Sequence, residues 1–168
     1  MEEIENKIAK SGLITLDLGD YYPKESHILF DIKDYLYEGL ILKEKDFRKS
    51  LSEIDWKSYN NTLVAITCSA DAIIPSWAYL LVANHLTGIA KLVVFGSFED
   101  IDKEVYTHII DNIPIEKYKD KKVIVKGCSH KPVPQNAYIQ MVQKLLPVVS
   151  SLMFGEACST VPIYKKKN

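Results

Sequence analysis

The chain has 168 residues, 47% of them hydrophobic and 26% charged, and a net charge of −1. This length and balance suit one globular domain with a hydrophobic core and exclude a disordered chain. A charge so near zero gives no long-range field to draw nucleic acid or an anionic surface, and the basic tip YKKKN reads as a solubilising tail.

The N-terminal MEEIENKIAKSG is mixed in charge and lacks an apolar signal core. No run approaches the roughly 20 apolar residues of a membrane span. GLITLDLGD alternates apolar and polar residues and predicts a half-buried strand. DYYPKES supplies a turn at Pro23 and HILFDI a second strand, so a hairpin or two adjacent strands is expected. KDYLYEGLILKEKDFRKSLSEIDW predicts a helix broken at Gly39. These elements form an N-terminal strand and helix region over residues 1–60.

Residues 61–168 read as a β-α repeat core. TLVAIT at 62–67 is a buried strand, and Pro75 opens the helix PSWAYLLVANHL. AKLVVFG is the next strand, and Ser97 caps FEDIDKEVYTHIIDNI, with acids in its first turn. KKVIVKG is the third strand, and Pro134 opens PQNAYIQMVQKLL, with Tyr138, Met141, Val142 and Leu145 on one stripe. After Pro147 a bend and a second short helix are expected. Three strand–loop–helix repeats predict a single three-layer α/β domain with a small, mostly parallel sheet, which the N-terminal strands extend or edge. No linker divides the chain, and the oligomeric state is left open.

All three cysteines precede a serine and then a proline, in CSADAIIP, GCSHKPVP and ACSTVP. An odd count fits reduced thiols, which places the chain in the cytoplasm. Cys68 and Cys128 fall at the carboxyl ends of the first and third core strands, where parallel sheets bind ligands. Cys158 joins them if the chain turns back after Pro147. Helix N-termini and the flanking Lys126 and Lys131 favour thiolates there. With Asp71 or His130 as a fourth ligand, Cys68, Cys128 and Cys158 suit zinc or an iron–sulfur cluster, whose negative charge Lys126 and Lys131 would stabilise. Each serine has a plainer role as the cap of the following helix.

Beside this stand two other readings. Cys128, between two lysines and next but one to His130, suits a nucleophile, or a zinc site with an open position for water. Three inert, buried cysteines suit a scaffold whose partner surface is the aromatic set Tyr21, Tyr22, Tyr35 and Tyr37. No Gly-rich nucleotide loop, Cys-x-x-Cys, His-Glu-x-x-His or Gly-x-Ser-x-Gly occurs in the sequence. His27, His85 and His108 read as structural residues, and Asp31 as a cap.

The segments SGLITLDLGDYYP, FDIKDYLYEGLILKEKDFR, TCSADAIIPSWAYLL, VVFG, VIVKGCSHKPVP and GEACSTVPIYK together resemble domain-of-unknown-function family 2480, a bacterial family of the Bacteroidetes type. The resemblance covers nearly the whole chain and puts Cys68, Asp71, Cys128 and Cys158 inside its motifs. It implies a genomic association with sulfur-mobilisation genes, and so iron–sulfur assembly proteins as partners. It implies no activity.

Overall fold

The alternating and branched runs do become strands, but they are shared between two sheets. The computed structural model describes residues 12–127 and 130–167. The fold is α/β and mostly parallel. It comprises two compact units: a terminal unit of Met1–Tyr22 and Tyr106–Asn168, and a central unit of Pro23–Val105.

The terminal unit holds β1 (Leu13–Asp17), β5 (Lys122–Lys126), β6 (Ser151–Glu156) and β7 (Ser159–Lys165), in that spatial order. β1, β5 and β6 run parallel, and β7 returns antiparallel to β6. The central unit holds the all-parallel order β2 (His27–Asp31), β3 (Leu63–Thr67) and β4 (Leu92–Phe95). Among the described residues there are four α-helices: α1 (Glu44–Ser52), α2 (Ser76–Leu86), α3 (Phe98–Asn112) and α4 (Gln135–Leu145). The unit boundary falls within α3.

Three expectations are corrected. The first two strands do not pair with each other: β1 pairs with β5, and β2 with β3. Asp17 accepts a hydrogen bond from the Gly19 N–H at 2.8 Å and starts a 3-10 turn, Leu18–Tyr21, so no tight hairpin forms. The stretch before α1 forms only a 3-10 turn, Ile32–Tyr35, and no α-helix. Glu38 and Gly39 both take positive φ, 50° and 70°, and turn the chain between Tyr37 and Ile41. After Pro147 comes β6 rather than a second helix, because the branched and aromatic run there pairs with β5.

The two units are built on one plan. β1 (LITLD) and β2 (HILFD) share a burial pattern, end in Asp17 and Asp31, and lead into 3-10 turns LGDY and IKDY. Each pairs in parallel with a buried strand, β5 or β3. Each of those leads through a Cys-Ser loop to a proline-started helix of 11 residues. Pro75 and Pro134 occupy the N-cap with nearly equal angles, φ −69° and −66°. Both helices bury positions three, seven and eleven: Ala78, Val82 and Leu86 in α2, and Ala137, Met141 and Leu145 in α4. That spacing is one helical stripe laid on a sheet. Burying each large side chain is worth about 1.5–3 kcal/mol. A third parallel strand follows in each unit, β4 or β6, carrying Phe95 or Phe154.

Around the central unit's frame, Phe30 stacks between Tyr35 (5.5 Å) and Trp56 (5.8 Å), and Trp56 stacks on His85 (4.7 Å). Tyr35 therefore serves packing. Tyr37 is exposed and lies under the Lys43 ammonium, 3.2 Å from its ring centroid. His27 lies on β2 and bonds the buried Asp102 through Nε2 at 2.9 Å. No helix among the described residues is long and apolar enough to cross a membrane.

Candidate functional site

In the central unit the site begins where β2 and β3 end side by side. Asp31 pairs in register with Thr67, the residue before Cys68. Asp31 Oδ1 accepts from the backbone N–H groups of Lys33 and Ser69, both at 3.0 Å. Its Oδ2 accepts from the Ser69 hydroxyl at 2.6 Å and lies 3.6 Å from Lys33 Nζ. Burial pushes this carboxyl up, but the hydrogen bonds from Ser69 and Lys33 and the Lys33 charge outweigh it and hold it below the usual carboxylate range.

Ser69 is thus tied sideways to the neighbouring strand and does not cap the helix. α2 has Pro75 at its N-cap and no side-chain cap bond there. The serine of the dipeptide fixes the start of the loop, and with it the place of Cys68. Cys68 is half-buried, and its Sγ is 3.9 Å from the Ala70 carbonyl oxygen. Tyr79 of α2 reaches the same edge. Burial raises its hydroxyl first, and the charges of Cys68 and Asp31 add to the rise. The Tyr79 ring meets Phe95 edge-on at 5.2 Å. Asp71 is exposed in the same loop.

In the terminal unit Asp17 pairs in register with Lys126. Lys126 Nζ lies 3.2 Å from Glu156 Oε2 and 3.6 Å from Asp17 Oδ2. Glu156, first by hydrogen bond and then by charge, raises the Lys126 ammonium, with Asp17 adding to it. Its charge is therefore already matched by two carboxylates. Gly127 follows, and a β-carbon there would overlap the Tyr138 hydroxyl and come within 2.9 Å of the ring Cζ. Burial raises the Tyr138 hydroxyl, and Asp17 raises it further. The Tyr138 ring meets Phe154 edge-on at 5.3 Å, as Tyr79 meets Phe95.

Cys128 lies outside the described residues. His130 and Lys131 are exposed, and Lys131 Nζ sits 5.2 Å from the Tyr22 ring centroid. Cys158 is exposed in the turn between β6 and β7. β6 runs parallel to β5, so this turn lies at the carboxyl edge of the terminal unit's sheet. A strand, not the expected helix, brings the chain there.

The expectation that one sheet edge would gather Cys68 and Cys128 is corrected. Their strands, β3 and β5, belong to different sheets. Among the described residues no group of three or more His, Cys, Asp or Glu side chains is placed to hold a metal ion.

Asp31 is the cap that the sequence predicts and also reaches Ser69, whereas the sequence analysis gives Asp17, Tyr79 and Tyr138 no part in the site. The signal that finds all four is internal. LITLDLGDYY matches HILFDIKDYL, and in both units Cys-Ser precedes a Pro-x-x-Ala-Tyr start to the helix.

The family model described as protein of unknown function (DUF2480) matches residues 2–166. The chain belongs to this family. No curated protein and no solved structure matches it.

Proposed function

We propose that the chain holds, or passes on, a metal ion or an iron–sulfur cluster through the thiolates of its Cys-Ser loops. The observation that carries this reading is the matched constellation. Two units of one chain each set a Cys-Ser after a buried strand, with an aspartate ending the neighbouring strand and a tyrosine on the next helix.

Packing explains the alanines and leucines that the units share, and capping explains the aspartates. Capping does not explain the thiols, and packing explains Cys68 only in part, since it lies half-buried against the central core. Cys68 fills no fully buried position, and its Sγ has only a long contact to a carbonyl. A thiol kept at matching points in two otherwise divergent units is best explained by its chemistry. Soft thiolates select zinc, copper(I) and iron–sulfur clusters. Cys128 and Cys158 belong to the terminal unit and Cys68 to the central one. Asp71, His130 and Lys131 are exposed in the same loops, and they would supply an oxygen, a nitrogen or a positive charge. Zinc would tolerate a mixed set of ligands, and a cluster would favour thiolates. Thiols of this kind work in a reducing cytoplasm, with iron–sulfur assembly proteins as the natural donors or acceptors.

The test is metal and sulfide analysis, with an absorption spectrum, on protein purified without oxygen, beside Cys68→Ser, Cys128→Ser and Cys158→Ser. Stoichiometric iron and sulfide, or zinc, lost in Cys128→Ser and in at least one other variant is the expected result. Protein that is metal-free and resists reconstitution overturns the proposal. One fast-alkylating thiol in that protein would point to a nucleophilic cysteine instead.

A further inference from the structure

The opposite, amino edge of the terminal unit carries a cleft of about 510 Å³, lined among others by Leu13, Lys122, Ser150, Ser151, Lys165 and Lys166. It holds none of the cysteines. Strand register builds it. Leu13 pairs with Lys122, Lys122 with Ser151, and Ser151 with Lys165. Residues paired across a sheet point to the same face, and neighbouring strands are about 4.8 Å apart. Lys122 and Lys165 therefore stand about 10 Å apart, with the Ser151 hydroxyl between them. Their flexible stems let both ammonium groups lean over that hydroxyl.

The basic C-terminus is accordingly not a loose tail. Lys165 ends β7, and the Lys166 N–H donates to the Ser150 carbonyl at 2.9 Å. Lys166 Nζ lies 3.7 Å from Asp120, whereas neither Lys122 nor Lys165 has an acidic partner among the described residues. No acid is among the described residues that line the cleft. In a chain of net charge −1, two unmatched ammonium groups therefore share one face of a concave site. A dianion between them would relieve their repulsion and accept a hydrogen bond from the serine.

We propose that this cleft binds a phosphate group, free or carried by a small molecule. Lys122 and Lys165 supply the charge, and Ser151 supplies a hydroxyl donor. The volume has room for a phosphate and a modest organic substituent. The site is one pair of lysines without an acidic partner among the described residues, beside Lys166, rather than a basic stripe, which favours a single phosphate over a nucleic-acid backbone.

The experiment is a phosphorus NMR titration of the full chain at low salt with inorganic phosphate, and separately with a simple alkyl phosphate monoester. Saturable binding is expected, weakened at least about tenfold in Lys122→Ala/Lys165→Ala. Ser151→Ala should weaken it less, and Lys122→Arg/Lys165→Arg should retain it. Both lysines are exposed, so circular dichroism should show every variant folded. Tighter binding of the monoester marks a phosphorylated small molecule as the ligand, and equal binding marks phosphate itself. Three results overturn the proposal: no binding up to about 10 mM, binding unchanged in the double alanine variant, or an oligonucleotide that binds where both phosphates fail.

Discussion

In the central unit Asp31 reaches across to Ser69 and ties down the loop that starts at Cys68. In the terminal unit Asp17 stands at the matching place but reaches Lys126, which Glu156 also holds. Among the described residues, Asp31 is held by hydrogen bonds from Ser69 and Lys33 with the Lys33 ammonium 3.6 Å away, whereas Asp17 accepts from Gly19 and shares the Lys126 ammonium with Glu156. A second difference lies on the far side of each tyrosine. Phe95 on β4 is 70% exposed, whereas Phe154 on β6 is 41% exposed. β7 exists only in the terminal unit, and its Ile163 walls the apolar groove of about 350 Å³ that Tyr138 and Phe154 share. The strands, helices and buried stripes repeat because packing demands them. What covers the loop edge differs. The thiols repeat in the sequence as well, and Cys68 is only half-buried against its core.

The sharpest break of the comparison strikes the shared frame. Leu86 and Leu145 are both fully buried at the last position of the matching stripes. Leu86→Ala and Leu145→Ala should each cost about 3 kcal/mol through lost burial and the cavity left behind. Urea denaturation of both variants checks this. Losses differing by more than about 1.5 kcal/mol would mean that the two helices do not do equal work, and the common plan would be one of backbone only.

Gly127 has no counterpart in the central unit, where Thr67 leads directly to Cys68. The glycine admits the Tyr138 hydroxyl, and that ring is backed by Phe154, so it has little freedom to retreat. Gly127→Ala should destabilise by about 1–3 kcal/mol through overpacking. Adding Tyr138→Phe removes the atom in closest conflict, so the double variant should recover part of the loss. Thermal denaturation of the three variants makes the cycle. A Gly127→Ala protein as stable as wild type would show that the tyrosine is not held against this loop.

Periodicity made the individual elements legible. Branched runs became β3, β4 and β5, and the stripe ending at Leu145 became the buried face of α4. The division into two sheets was not legible, because alternation tells which face of a strand is buried and nothing of its partner. β1 and β2 are neighbours in sequence yet belong to different sheets. The repeat was hidden for a related reason. β2, β3 and β4 sit between β1 and β5 in the chain, so the matching segments recur at no fixed spacing. At the site, the position of Cys68 was legible as a strand end. The role of Ser69 was not, because a serine ahead of a helix suits capping, and only the register of β2 against β3 brings Asp31 within reach.

That contact supplies the smallest of the expected effects. Near neutral pH, Asp31→Asn should cost about 1–2 kcal/mol, because an amide cannot accept on both sides as the carboxylate does, and Ser69→Ala about 1 kcal/mol. The pH dependence has a definite sign. The folded Asp31 carboxyl lies below its ordinary value, so its contribution is fully present above the unfolded value near ~3.9. It is lost as the pH falls through the lower, folded value. The stability gap between wild type and Asp31→Asn should therefore hold from pH 7 to 5 and shrink below about pH 4. Urea denaturation at several pH values reads it. Urea denaturation of Asp17→Asn at pH 7 in low and high salt sharpens the contrast, because the share of Asp17 that comes from the Lys126 ammonium should fade in high salt, while Asp31 keeps its hydrogen bonds from Ser69. If Ser69→Ala also speeds alkylation of Cys68, the serine holds the thiol in place. An unchanged alkylation rate would confine the Asp31–Ser69 contact to stability.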